Sequence, residues 1–131
     1  MGRVVLDSSV LLGLADPLDA LHRSAAEALN DRRDMEFIVP ASVFAEIMVG
    51  AVKLGKRTAD HVEAMVDDLA TDIYPIDREV ARAAASIRAR RTGIRLPDAL
   101  VLATGTVLHA EVLTGDKRWA GEPGRVAVLG P

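Results

Sequence analysis

The sequence predicts an α/β fold, a three-layer α/β/α sandwich around a mainly parallel sheet of short strands. Three observations carry that expectation. Apolar runs of a few residues, too short for helices, recur along the chain and alternate with stretches of helical spacing. The crossovers between most of those runs are long enough to hold helices, which makes successive strands point the same way. The length, 131 residues with no internal repeat or linker-like stretch, suits one domain over residues 1–131 with its own core.

Val4–Leu6 reads as the first strand, with Ser8 or Ser9 available to cap a helix over Val10–Ala15. Asp16-Pro17 breaks that helix, and Leu21, Ala25, Ala28 and Leu29 space the next one over Leu18–Asn30. Phe37–Val39, closed by Pro40, is a second strand; Ser42 then opens a helix to about Leu54, ended by Gly55. A Thr58 cap starts another helix, to about Ala70. Ile73 and Tyr74 before Pro75 form a third strand, followed by an Ala-rich helix from about Asp77 to Arg90. Thr92-Gly93 ends it, and Leu96-Pro97 starts the next, with Pro97 where its missing N–H costs nothing. Val112–Thr114 and Val126–Leu129 complete the set. Strand C-termini and helix N-termini thereby gather on one edge of the sheet, where open α/β folds place their sites.

Sixteen Lys and Arg against nineteen Asp and Glu give a formal charge of -3, which argues against a strongly basic, non-specific nucleic-acid binder. The absence of Cys excludes disulfides, thiolate catalysis and Cys-based zinc or iron–sulfur sites. Near the N-terminus, Asp7 interrupts what otherwise resembles the apolar region of a signal peptide, and a charge there opposes translocation, so the segment reads as mature structure. Ala99–Ala110, the longest uncharged helical stretch, is broken by Thr104, Gly105, Thr106 and His109 and falls short of the ~20 residues that span a bilayer. A soluble, cytoplasmic protein without a membrane partner is expected.

Four carboxylates stand in unusual company. Asp7 directly ends the first strand. Glu46 is the only charge between Ala41 and Val52, Asp98 the only Asp, Glu, Lys or Arg between Leu96 and Ala110, and Asp116 follows the fourth strand. Each has a structural reading: Asp7 as a helix cap, Glu46 on a solvent face, Asp98 complementing a helix N-terminus, Asp116 in a turn. Their placement joins them, because all four fall on the same edge of the sheet. Like charges so gathered repel and raise one another's pKa unless a cation sits among them. Oxygen-only ligands select a hard cation, Mg²⁺ or Mn²⁺. His22, His61 and His109 show no paired spacing, which argues against a zinc hydrolase. An acidic site of this kind suits phosphoryl chemistry.

Val5-Leu6-Asp7-Ser8-Ser9-Val10, Phe44-Ala45-Glu46-Ile47, Leu96-Pro97-Asp98-Ala99-Leu100-Val101-Leu102-Ala103 and Leu113-Thr114-Gly115-Asp116 together resemble the PIN-domain ribonucleases, over essentially the whole chain and in the same order. The compact form is similar to a VapC-type toxin of a bacterial or archaeal toxin–antitoxin pair. The resemblance implies metal binding and catalysis by Asp7, Glu46, Asp98 and Asp116, with one or two Mg²⁺ or Mn²⁺ ions, and a site shaped by Ser9 and Thr114. Gly115 departs from the pattern, since Asn is frequent there. The implied reaction is in-line hydrolysis of an RNA phosphodiester by metal-activated water, leaving 5′-phosphate and 3′-hydroxyl ends. A homodimer and a small antitoxin partner are also implied, the antitoxin's C-terminal segment covering the active-site groove. Ala41–Val52 and the segment around Val62, Met65, Val66 and Leu69 offer such surfaces, or else belong to the core.

RNA needs cationic contacts. Between Arg82 and Pro97 lie five arginines and no acid, and Arg90, Arg91 and Arg95 are the phosphate-binding candidates, with Lys117 and Arg118 beside Asp116 as further ones. Trp119 is available to stack on a base or to pack against the last helix. At 3% aromatic content an extended stacking platform is not expected. Other readings are a Mg²⁺-dependent small-substrate phosphatase or a non-catalytic RNA-binding module. A haloacid-dehalogenase-like phosphatase needs a second Asp two residues after the first, where Ser9 stands. A response-regulator receiver needs an Asp after the third strand and a Lys after the fifth, where Pro75 and the Gly130-Pro131 end stand. Nineteen acids less the four site residues leave fifteen against sixteen bases, so the chain's acidity belongs largely to the site.

Overall fold

Val4, Val5 and Leu6 have no solvent-accessible surface, which an apolar strand achieves when its sheet is covered on both faces. The computed structural model describes residues 2–120 and 125–131 and places this strand, β1 (Arg3–Leu6), at the centre. There follow α1 (Ser8–Ala15), α2 (His22–Asp31), β2 (Glu36–Pro40), α3 (Ala41–Leu54), α4 (Lys56–Leu69), β3 (Asp72–Tyr74), α5 (Arg78–Arg90), α6 (Leu96–Leu108), β4 (Glu111–Thr114), a 3₁₀ turn (Lys117–Trp119) and β5 (Val126–Val128). The sheet order is β3-β2-β1-β4-β5 and every pairing is parallel. Helices flank the sheet in the expected α/β/α arrangement.

The main core joins β1, β2 and β4 to α1, α2, α3 and α6 through residues such as Leu6, Val10, Leu11, Val39, Val43 and Leu113. Full burial of one such side chain is worth roughly 1.5–3 kcal/mol. A second cluster, Val80, Ala84, Ala99 and Ala103, packs α5 against α6 with small side chains that let the two helices approach closely. In α6 the hydroxyls of Thr104 and Thr106 donate to the carbonyls of Leu100 and Leu102, which satisfies them within a largely buried helix.

Several helix starts differ from the sequence expectation, each for a local reason. The stretch from Leu18 to Leu21 is not helical: Asp16 Oδ1 accepts from Leu18 N–H at 2.9 Å and Asp19 Oδ1 from Leu21 N–H at 2.8 Å, two successive Asx turns that delay α2 to His22. Asp7, not Ser8 or Ser9, stands at the N-cap of α1, with no side-chain cap bond because its carboxylate is engaged elsewhere. α3 starts at Ala41, so Ser42 lies inside the helix, where its hydroxyl is buried and has no hydrogen-bond partner among the described residues. Gly55, at φ +120°, ends α3 and begins α4, which moves Thr58 into the first turn. Asp77 does cap α5, accepting from Val80 N–H at 2.9 Å.

Candidate metal and nucleic-acid site

β1 and β4 are neighbours in the sheet but far apart in sequence, and the strand order reverses between them, which opens a crevice at their C-terminal ends. Register brings the two ends level: Leu6 pairs with Leu113, and the Asp7 N–H donates to the Leu113 carbonyl at 3.0 Å. Thr114 ends β4 and Asp7 directly follows β1, so the two stand side by side at the crevice. The Thr114 hydroxyl donates to Asp7 Oδ2 at 2.7 Å, and the Ser9 hydroxyl to the same oxygen at 3.2 Å. Both hydroxyls also accept, Thr114 from Asp116 N–H at 3.0 Å and Ser9 from Gly115 N–H at 2.8 Å. Ser9 and Thr114 therefore stitch the loop after β4 to the Asp7 carboxylate. A general acid at position 9, which a dehalogenase-like phosphatase requires, is replaced by this bridge.

Asp98 sits in the first turn of α6, where the helix dipole favours an acid, with Arg95 Nε at 3.6 Å from its carboxylate. Glu46 projects from α3 and forms no hydrogen bond or ion pair among the described residues. Burial pushes the Asp7 carboxyl up against the hydrogen bonds that lower it, and Asp98 adds a repulsive push. The Glu46 carboxyl is also held above its ordinary range, by desolvation and then by the charges of Asp7 and Asp98, with Arg95 opposing. Asp7, Glu46 and Asp98 thus share one field, and the negative charge exceeds what Arg95 offsets.

Asp116 behaves differently. One edge of the Arg118 guanidinium grips it, Nε at 3.0 and 3.1 Å and Nη2 at 2.6 Å, and the Arg118 N–H adds a bond at 2.9 Å. This pairing holds the Asp116 carboxyl below the usual range, and Arg95 contributes in the same direction. As the side chains stand, no three acidic or histidine groups among the described residues converge closely enough to hold a metal ion. The donor set itself, carboxylate oxygens in mutual repulsion, fits a hard divalent cation.

Of the cationic candidates, Arg91, Arg95 and Arg118 reach the neighbourhood of Asp98. Arg91, Thr92, Gly93, Ile94, Asp98 and Arg118 line a cavity of about 190 Å³, with Trp119 in its wall. Arg88 Nε donates to the Ile94 carbonyl at 3.2 Å and so supports the loop that forms one side. Arg90 and Lys117 are exposed and do not line it. Trp119 is 3% exposed, which makes it a packing residue and removes it as a free stacking platform. Gly115 has a packing reason: a β-carbon there would collide with the end of the Leu21 side chain and lie 3.4 Å from Ser9 Oγ. Sequence reading did not anticipate the Asp116–Arg118 pairing; Arg95, by contrast, lies three residues before Asp98, and that spacing does carry its charge beside the acids, as its candidacy required.

Residues 4–121 match the family model described as PIN domain, and the chain belongs to that family. Solved structures place it further. A chain of a toxin–antitoxin complex from Klebsiella pneumoniae superposes with a TM-score of 0.77 at 25% identity, covering 95% of this chain and 96% of that one. VapC20 of Mycobacterium tuberculosis, described as a sarcin–ricin-loop-cleaving toxin, gives 0.75 at 16% identity over 98% and 99% of the two chains. FitAcB of Neisseria gonorrhoeae gives 0.74 at 20% over 94% and 95%. At those lower identities the likeness is one of fold. No curated protein matches the sequence. Among the described residues no helix is long and apolar enough to cross a membrane.

Proposed function

We propose that the protein is a divalent-cation-dependent endoribonuclease and the toxin of a toxin–antitoxin pair. The observation that carries this reading is the Asp7 carboxylate, 7% exposed, fixed at the sheet's switch point by Thr114 and sharing a repulsive field with Glu46 and Asp98. Asp7, Glu46 and Asp98 would hold Mg²⁺ or Mn²⁺, with Asp116 as a fourth ligand. Bound there, the cation supplies a water of lowered pKa and neutralises charge on the phosphate. Thr114 and Ser9 keep the Asp7 oxygens oriented. Arg91, Arg95 and Arg118 attract the RNA backbone to the edge where the acids lie, with Arg90 and Lys117 further out.

The antitoxin reading draws support from a second surface. A cavity of about 240 Å³ opens between α1, α3 and α4, lined by Leu11, Ile47, Ala51, Val62 and Met65, with exposed Leu12 and Leu54 at its margin. Val66, by contrast, is fully buried and belongs to the core. An apolar segment of an antitoxin would cover this groove, and a homodimer in the cytoplasm completes the proposal. The Klebsiella pneumoniae relative, a chain of a toxin–antitoxin complex, supports the antitoxin partner.

The test incubates purified protein and its Asp7→Asn variant with total RNA in Mg²⁺ or in EDTA. Cleavage by the wild type in Mg²⁺ alone is expected; cleavage that survives both chelation and the substitution sinks the proposal. Coexpression of a small protein encoded beside this gene is expected to relieve growth arrest.

A further inference from the structure

Arg118 stands at the meeting point of two sites. One face of its guanidinium grips Asp116, and the same side chain lines the cavity that Asp98 and Arg91 share. Resting on the metal reading above, we infer that Arg118 competes with a divalent cation for the Asp116 carboxylate and, once displaced, binds a nucleic-acid backbone phosphate in the cavity beside Asp98. Three features carry the inference. The Asp116 side chain is 22% exposed and that of Arg118 70%, so the arginine can leave without unpacking anything. A guanidinium fork fits a phosphate as well as a carboxylate, so the exchange trades one bidentate partner for another. Displacement by a cation leaves no carboxylate uncompensated, and it adds a released positive charge where the RNA backbone would lie.

Arg118 and Asp98 line the same cavity, and the Asp98 charge acts on the guanidinium there. The device couples the two ligands: a cation that frees Arg118 strengthens phosphate binding, and by reciprocity bound phosphate strengthens cation binding.

Titration calorimetry with Mn²⁺ on the intact chain tests the exchange, using wild type, Arg118→Gln, Asp116→Asn and the double variant. Removing a competing exposed ion pair is expected to tighten Mn²⁺ binding about three- to fivefold in Arg118→Gln, and to change nothing when Asp116 is already Asn. Unchanged or weaker Mn²⁺ affinity in Arg118→Gln overturns the exchange while leaving the metal site standing. A gain that persists in the Asp116→Asn background also overturns it, because the effect is then one of net charge. No Mn²⁺ binding by any of the four proteins overturns the metal reading and this inference with it. For the phosphate half, anisotropy of a labelled phosphorothioate RNA hexamer is expected to show Mn²⁺ strengthening binding more in the wild type than in Arg118→Gln; equal strengthening overturns that half.

Discussion

The Thr114 hydroxyl donates to the Asp7 carboxylate at 2.7 Å and spans residues 107 positions apart, from the end of one central strand to the end of its neighbour. The same oxygen accepts from the Asp116 backbone, so one buried side chain sets both acidic ends of the crevice. Thr114→Val keeps the shape and removes both bonds. The Asp116 N–H then loses its acceptor and Asp7 Oδ2 keeps only the Ser9 hydroxyl, a loss of about 1–3 kcal/mol that urea unfolding in EDTA is expected to show. Thr114→Ser, which retains the hydroxyl, is expected to recover most of it.

A pH dependence follows from the raised carboxyls. Asp7 and Glu46 hold protons more tightly folded than unfolded. Between the ordinary carboxylate pKa and their raised values the native state therefore binds more protons, and stability falls as pH rises through that window. Asp116 has the opposite sign: held low by Arg118, it contributes stability above its ordinary pKa and loses it as pH falls through the lowered one. In EDTA, Asp7→Asn is expected to raise the urea midpoint at neutral pH and to flatten the fall from mildly acidic to neutral pH. A variant less stable than wild type at neutral pH contradicts the desolvation argument.

Saturating Mg²⁺ or Mn²⁺ is expected to reverse that order. Ligand present at a hundredfold over its dissociation constant stabilises by about 2.7 kcal/mol, and the wild type, not Asp7→Asn, is expected to show an upward thermal shift. Differential scanning calorimetry with and without the metal reads it directly.

Gly115 offers a packing test beside the site. Because only the terminal methyl of the half-buried Leu21 fills the space of the missing β-carbon and can rotate aside, Gly115→Ala is expected to cost no more than about 1 kcal/mol in urea unfolding. Trimming the neighbour with Leu21→Ala is expected to make the two substitutions non-additive in a double-mutant cycle.

Much of this was legible in the chain. The strands declare themselves because apolar runs of three or four residues cannot make helices, and the acids declare themselves because Asp7, Glu46 and Asp98 interrupt otherwise apolar sequence. The start of α2 did not, because Leu18 and Leu21 mimic helical spacing while Asp16 and Asp19 turn the backbone locally. The pairing of Asp116 with Arg118 was also hidden: it depends on the 3₁₀ turn over Lys117–Trp119, and the sequence shows both charges without that turn. Trp119 illustrates the same limit, since its burial depends on elements far from it in the chain.

The central claim is that the acids at the β1 and β4 ends direct metal-activated water onto an RNA phosphodiester. End-group analysis of RNA cut by the wild-type protein in Mg²⁺ tests it most directly. The account predicts 5′-phosphate and 3′-hydroxyl ends, with no cutting by Asp7→Asn; 2′,3′-cyclic phosphate ends produced equally in EDTA would contradict it.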